Sequence, residues 1–162
     1  MIVVVDTNVA VVANGRGTHA DKSCQLACVE RLECIKERGI IAIDDTGNIL
    51  DEYARQLRYS GYPGVGDKFF KYLVDHQYHS RRVQRVSVTP SNNDQRGFEE
   101  LPANDLDRSD RKFLAVALVA NAIVLNATDS DWEQEAMLLD TLGVKIDQIC
   151  PQYASGRAGR SQ

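Results

Sequence analysis

The stretch Ile2-Val3-Val4-Val5-Asp6-Thr7-Asn8 joins a run of apolar residues directly to three polar ones. A strand that is apolar at every position, rather than at alternate positions, is typical of a parallel sheet covered on both faces. We therefore predict that residues 2–6 form a central strand. In parallel α/β sheets, ligands bind beyond the carboxyl ends of the strands, and Asp6 lies at such an end.

The rest of the chain alternates between strand and helix patterns. Further strands are predicted at 40–43, 83–88, 123–125 and 144–146, and helices at 20–38, 49–59, from about 67, 109–121 and 131–142. Strands that alternate with helices form crossover connections between parallel strands. The predicted fold class is therefore α/β, a three-layer α/β/α sandwich around a central, mostly parallel sheet of about five strands. We assign 1–150 to a single domain and expect 151–162 to form a flexible tail, because the end of the chain is polar.

Composition narrows the class of protein. The chain has 162 residues, 43% of them hydrophobic, which is enough to bury one self-sufficient core. Its net charge of −4 argues against a protein that coats nucleic acid through bulk charge, although it permits a local basic groove. The longest apolar run, 113–125, is too short to span a membrane, and no basic signal-peptide start is present. We expect a cytoplasmic protein with no membrane partner.

Four cysteines occur, and three of them fall in the helix predicted at 20–38. None belongs to a CxxC pair, the spacing that is typical of zinc and redox sites. We therefore predict buried thiols, rather than a metal or redox site, for Cys24, Cys28, Cys34 and Cys150.

Four acidic residues are predicted to meet at one edge of the sheet. Asp6 ends the first strand, and Asp129 follows the strand at 123–125. Asp110 begins the helix that precedes that strand, and Glu52 lies early in the helix after the second strand. Each acid alone has an ordinary explanation, such as a helix cap, a solvated helix residue or an Asx turn. Together they would raise one another's pKa unless a cation compensates, and the absence of a nearby histidine favours Mg²⁺ or Mn²⁺ over zinc.

Four segments, in order along the chain, resemble the acidic motifs of PIN-domain proteins. They are Asp6-Thr7-Asn8, Glu52, the stretch DRKFLAVA at 110–117 and the stretch LNATDSDW at 125–132. The resemblance covers roughly 1–148. It implies a small parallel-sheet nuclease fold and a metal-dependent ribonuclease activity. Many members of the family are homodimers, and many are toxins that are paired with an antitoxin protein.

Carried over by motif, the resemblance implies catalytic roles for Asp6, Glu52, Asp110 and Asp129. Asp131 is the auxiliary acid of the fourth motif, so the expected metal ligands are Asp6, Asp110, Asp129 and Asp131. Asp107 is a further candidate if the third motif is displaced by one helical turn. In this scheme Glu52 orients or deprotonates the attacking water.

Supporting and substrate-binding residues are expected next to these acids. Thr7 and Asn8 begin the helix after the first strand, where they would hydrogen-bond a carboxylate, a water or a phosphate oxygen. Arg55 and Arg58 follow Glu52 on a predicted helix, one turn apart, and would contact the phosphate backbone of a single-stranded RNA. The leading hypothesis is therefore a Mg²⁺- or Mn²⁺-dependent endoribonuclease.

Two other functions remain open from the sequence. One is a catalytically silent PIN-like module that binds RNA or a protein. The other is a phosphotransfer protein, suggested by Asp44-Asp45 after the second strand, although Asp6 and Lys145 fit the phosphoacceptor pattern poorly. The ordinary explanation for 44–47 is a turn that leads into a helix.

Overall fold

A computed structural model describes residues 1–154 of the chain. Its sheet has five parallel strands in the order β3-β2-β1-β4-β5, which confirms the predicted α/β class. The strands are β1 (Ile2–Val5), β2 (Ile40–Asp44), β3 (Val83–Val86), β4 (Ile123–Asn126) and β5 (Ile146–Gln148). In the register, Val3 lies opposite Ile41 on one side and Ile123 on the other. The first strand is thus central, as its unbroken apolar run predicts.

Helices cover the sheet as expected for a three-layer sandwich. They are α1 (Thr7–Asn14), α2 (Lys22–Arg38), α3 (Asn48–Gln56), α4 (Val65–His76), α5 (Arg111–Ala120), α6 (Asp131–Gln134), α7 (Ala136–Leu142) and α8 (Pro151–Ala154). Helices α1, α2 and α4 pack on one another, whereas α5 packs against four of the strands. No helix within 1–154 is both long enough and apolar enough to cross a membrane.

The central strand is buried on both of its faces. Val3, Val4 and Val5 are all fully inaccessible to solvent. Complete burial of a valine side chain contributes roughly 1.5 kcal/mol or more, so β1 anchors the sheet. At the sheet edge, β3 buries Val83 and Val86 but exposes Arg85, so its burial does not follow the strict alternation that its sequence predicted.

Several element boundaries differ from the prediction. The helix predicted at 131–142 is two helices, α6 and α7, which meet at Glu135. Helix α3 ends at Gln56 rather than at 59. Asp67 lies inside the first turn of α4, where its carboxylate accepts a hydrogen bond from the backbone N–H of Gly64 at 3.0 Å. Part of the predicted tail is helix α8, whose Tyr153 hydroxyl accepts a hydrogen bond from the backbone of Asp21; 155–162 lie outside the described residues.

The cysteines differ most from expectation. Cys24 and Cys150 form a disulfide that joins α2 to the residue before α8. Cys28 is a buried free thiol, and burial raises its pKa to about 12, whereas Cys34 is exposed. The prediction of four buried thiols is therefore wrong for three of them. The pairing joins residues 126 positions apart, a proximity that cysteine spacing alone does not reveal.

Candidate functional site

Three of the four predicted catalytic acids lie together beyond the carboxyl end of the sheet. Asp6 follows β1, Asp129 follows β4, and Asp110 directly precedes α5. One carboxylate oxygen from each lies within 4.8 Å of the other two. Because β1 and β4 are parallel neighbours, their last residues bring Asp6 and Asp129 to the same edge. We call Asp6, Asp110 and Asp129 the aspartate cluster.

Burial sets the electrostatics of the aspartate cluster. Asp6 and Asp110 are only 4% and 6% exposed. Burial raises the pKa of Asp6 to about 6, with a further rise from Asp129 and an opposing hydrogen bond from Trp132. Burial, and then the charges of Asp6 and Asp129, raise the pKa of Asp110 to about 9. Without a cation, these raised pKa values oppose full ionisation of the aspartate cluster at neutral pH.

Glu52 lies on the wall of the same cleft but outside the aspartate cluster. The cleft has a volume of about 380 Å³ and is also lined by all three aspartates. One oxygen of Glu52 accepts a hydrogen bond from the Lys112 ammonium at 2.6 Å, and the other accepts one from the Thr7 hydroxyl. The charge of Glu52 is thus balanced within the protein by Lys112, and Thr7 contacts a carboxylate as predicted.

Asn8 fixes the loop that carries Asp129. Its side-chain oxygen accepts hydrogen bonds from the backbone N–H groups of Ala127 and Thr128, at 2.9 and 3.1 Å. Its amide nitrogen donates to Asn126 at 2.9 Å. The sequence predicted that Asn8 would contact a carboxylate, a water or a phosphate; in the structure its side chain instead joins α1 to the loop after β4. Its backbone N–H does bind the Asp6 carboxylate, at 3.3 Å.

Three residues of the site were not predicted from the sequence. Trp132 is fully buried, and its indole N–H donates to Asp6 at 2.7 Å. Asn126 is fully buried, and its amide donates to the Asp129 carbonyl and to the Gln148 side chain, both at 2.7 Å. The third is Lys112, the partner of Glu52. A signal was present, since Lys112 lies inside the third motif and Trp132 is the only tryptophan of the chain.

Asp131 and Asp107 line a neighbouring cleft of about 300 Å³ instead of the aspartate cluster. The side chain of Asp107 accepts hydrogen bonds from the backbone and hydroxyl of Ser109, and these bonds lower its pKa. Burial, followed by the charges of Asp129 and Asp107, raises the pKa of Asp131. The backbone N–H of Asp131 donates to the Asp129 carboxylate at 2.9 Å, so Asp131 orients this carboxylate through its main chain.

The two arginines predicted to bind substrate are separated in the structure. Arg55 is exposed on α3 and lines the cleft of the aspartate cluster. Arg58 lies beyond Gln56, the last residue of α3, and its backbone N–H donates to Asp67 at 2.8 Å. Because the helix stops between them, the two side chains do not share one helical face.

Asp44 has the ordinary role of a helix cap. It is 1% exposed and accepts hydrogen bonds from the backbone N–H groups of Asn48 and Ile49, at 2.8 and 2.9 Å. The Thr46 hydroxyl also donates to it, at 2.7 Å. Both carboxylate oxygens are thus engaged in starting α3, which argues against Asp44 as a phosphoacceptor.

Comparison with protein-family models, curated proteins and solved structures gave no match to this chain. The resemblance to PIN-domain proteins therefore depends on the four motifs alone. The geometry supplies a solvent-accessible cleft with three converging carboxylates, one internally paired glutamate and one exposed arginine.

Proposed function

We propose that this protein is a Mg²⁺- or Mn²⁺-dependent endoribonuclease that hydrolyses phosphodiester bonds in single-stranded RNA. The observation that carries the proposal is the aspartate cluster, whose carboxylates converge within 4.8 Å. Holding three acids so close together costs free energy, as the raised pKa values of Asp6 and Asp110 indicate. A bound cation would offset that cost.

The donor set suits a hard divalent cation. The cleft is lined by carboxylate, hydroxyl and amide oxygens, and no histidine or cysteine is among its lining residues within 1–154. Oxygen-only sites favour magnesium, manganese and calcium over zinc or copper. Asp6, Asp110 and Asp129 would hold the ion. When bound, such an ion lowers the pKa of water and stabilises negative charge on the scissile phosphate.

The residues around the cluster would keep it in a reactive geometry. The Trp132 indole and the Asn8 backbone N–H both bind Asp6, so its carboxylate has little freedom to rotate. Glu52 is held between Lys112 and Thr7, where it would accept a proton from water in the cleft. Arg55 would bind a phosphate beside the scissile bond. The choice of RNA follows from the resemblance to PIN-domain proteins.

A cleavage assay with a matched control tests this proposal. Purified protein is incubated with fluorescently labelled single-stranded RNAs and Mn²⁺, with and without EDTA. We expect cleavage that EDTA abolishes and that Asp129→Asn reduces at least about a hundredfold, since Asn keeps the shape but removes a ligand charge. The control is Asp140→Asn, an equal change of charge at an exposed site on α7, which is expected to cleave normally.

A thermal-shift measurement with Mn²⁺ separates the rival functions. If Mn²⁺ raises the melting temperature of the wild type but RNA stays intact, the protein is a metal-holding module without turnover, and the nuclease proposal fails. If Mn²⁺ neither stabilises the fold nor promotes cleavage, the metal site itself is absent. The homodimer and the antitoxin partner stay predictions of the resemblance, which light scattering and co-purification would test.

A further inference from the structure

A second cleft lies at the opposite end of the sheet from the aspartate cluster. It has a volume of about 480 Å³ and is lined by Ile40, the first residue of β2, and by Arg82, which directly precedes β3. Because all strands are parallel, the amino ends of β2 and β3 face away from the edge where Asp6 lies. We call this pocket the basic cleft. Its charged lining residues are Lys36, Glu37, Arg38, Arg81 and Arg82.

The basic cleft is positively charged, whereas the chain as a whole is negatively charged. Four of its lining residues are cationic and one, Glu37, is anionic, whereas the chain carries a net charge of −4. Cations near a helix C-terminus are partly explained by the helix dipole, and Lys36 and Arg38 lie in the last turn of α2. That explanation does not extend to Arg81, which comes from the connection between α4 and β3. Two separate segments therefore contribute cations to one cavity.

The guanidinium groups of the basic cleft are partly preorganised. Arg82 donates to the Tyr72 hydroxyl at 3.2 Å, and its guanidinium carbon lies 6.0 Å from the centre of the Tyr72 ring. In contrast, Arg38 and Arg81 are exposed, and neither side chain forms a hydrogen bond or ion pair with any residue in 1–154. Their planar donor groups are free to bind a ligand. Arginine is well suited to phosphate because its fork of N–H groups matches two phosphate oxygens.

We propose that the basic cleft binds a phosphate-bearing anion through Arg38 and Arg81, with Arg82 supporting it. The Lys36 ammonium is already paired with Glu33 at 3.0 Å and contributes less. The cavity falls within the size range of pockets for nucleotide-sized ligands. The phosphate belongs either to a free nucleotide or to the backbone of an RNA chain, since both present the same group. This proposal is independent of the proposed nuclease activity, because the two sites lie at opposite ends of the strands.

Binding is measured by titration calorimetry on the full chain, in EDTA so that no divalent ion recruits phosphate to the aspartate cluster. The two probes are ADP and a six-nucleotide RNA without terminal phosphates. We expect Arg38→Gln/Arg81→Gln to weaken binding roughly tenfold for each guanidinium removed. The matched control is Lys22→Gln/Lys145→Gln, which removes the same charge at two exposed positions outside the basic cleft. Thermal melts of both double variants check that the fold is retained.

The outcomes decide both the site and the source of the phosphate. Loss of binding in the arginine variant alone supports the proposal, with tighter binding of ADP indicating a free nucleotide and tighter binding of the hexamer indicating an RNA backbone. Equal weakening in both double variants would show a general charge effect and overturn the proposal. The proposal would also be overturned if neither ADP nor the hexamer bound to the wild type. The titrations are made in EDTA and require no cleavage, so failure of the nuclease proposal would not affect this result.

Discussion

The indole N–H of Trp132 donates a hydrogen bond to Oδ2 of Asp6 at 2.7 Å, in a place that solvent does not reach. Trp132 lies on α6, whereas Asp6 follows β1, so the bond joins α6 to the carboxyl end of β1. It opposes the rise in the pKa of Asp6 that burial causes. The tryptophan therefore serves the site and the core at once.

Replacing Trp132 by Phe tests this relationship. Loss of the bond to a charged group is expected to lower the free energy of unfolding by about 1.5–3 kcal/mol at pH 8 and to weaken the binding of Mn²⁺. A double-mutant cycle with Asp6→Asn isolates the contact from the loss of ring volume. Urea unfolding of the four proteins provides the measurement. If the two losses simply add, the indole contributes packing only.

The pH dependence of stability follows from the raised pKa values in the aspartate cluster. The pKa of Asp6 is raised to about 6 and that of Asp110 to about 9, both from 3.8. Between the ordinary pKa of 3.8 and the raised pKa of about 9, the folded protein binds more protons than the unfolded chain. The free energy of unfolding therefore falls as pH rises through this range. Asp67 and Asp107, whose pKa values are lowered, affect only the acidic side of this range.

In EDTA, therefore, urea unfolding is expected to show decreasing stability from pH 5 to pH 9. Asp110→Asn removes most of this slope and is expected to stabilise the metal-free protein at pH 8 by about 1–3 kcal/mol, because the Asp110 carboxyl must take up a proton on folding and an amide need not. With saturating Mn²⁺ the wild type should instead be more stable than Asp110→Asn. A wild-type stability that is constant or rising across this range would contradict the arrangement of charges described here.

The fold and the aspartate cluster could be predicted from the sequence for a physical reason. An apolar, β-branched run without alternation, such as residues 2–5, is typical of a strand covered on both faces. The position of such a strand in the sheet then places the residue after it at the ligand-binding edge. Asp6 follows directly from this rule, because it comes after β1, and Asp129 lies close to the same edge in the loop after β4. Backbone topology therefore determines much of the site.

The sequence did not predict which side chains pair with each other. The partner of Glu52 is Lys112, 60 residues away, and Cys24 pairs with Cys150 across 126 residues. Periodicity describes which face of a helix is buried, but it does not specify which groups meet across two elements. The same limit applies to Trp132, whose apolar ring fits a core position and conceals the polar contact at its edge.

The pair formed by Glu52 and Lys112 gives a third prediction. Both side chains are largely buried, at 11% and 13% exposure, with nitrogen and oxygen 2.6 Å apart. Lys112→Met is expected to destabilise the fold by about 2–4 kcal/mol, because it leaves a buried carboxylate without its counter-ion. Adding Glu52→Gln should restore much of that loss, although cleavage of RNA should stay low. The control is Lys71→Met, which removes an exposed lysine of α4 instead. Adding Glu52→Gln to this control should lower stability, because it leaves the Lys112 ammonium without its partner.

The disulfide between Cys24 and Cys150 gives a fourth prediction, which concerns stability and location together. A cross-link between residues 126 positions apart restricts the unfolded chain, and the chain-entropy model assigns it about 4–5 kcal/mol. Reduction with dithiothreitol should therefore lower the melting temperature of the wild type. Cys24→Ser/Cys150→Ser should melt near the reduced wild type and show no response to the reductant, and Cys34→Ser serves as the control at an exposed thiol.

The same pair provides a test of the cytoplasmic prediction. Disulfides persist in oxidising compartments and are rare in the cytosol, so a cytoplasmic protein would carry Cys24 and Cys150 as thiols. Cells quenched in acid and treated with a thiol-specific mass tag report the state directly, because a protein with the bond intact takes up two tags fewer than the reduced chain. Finding the bond in freshly quenched cells would contradict a cytoplasmic location, whereas finding four thiols would agree with it.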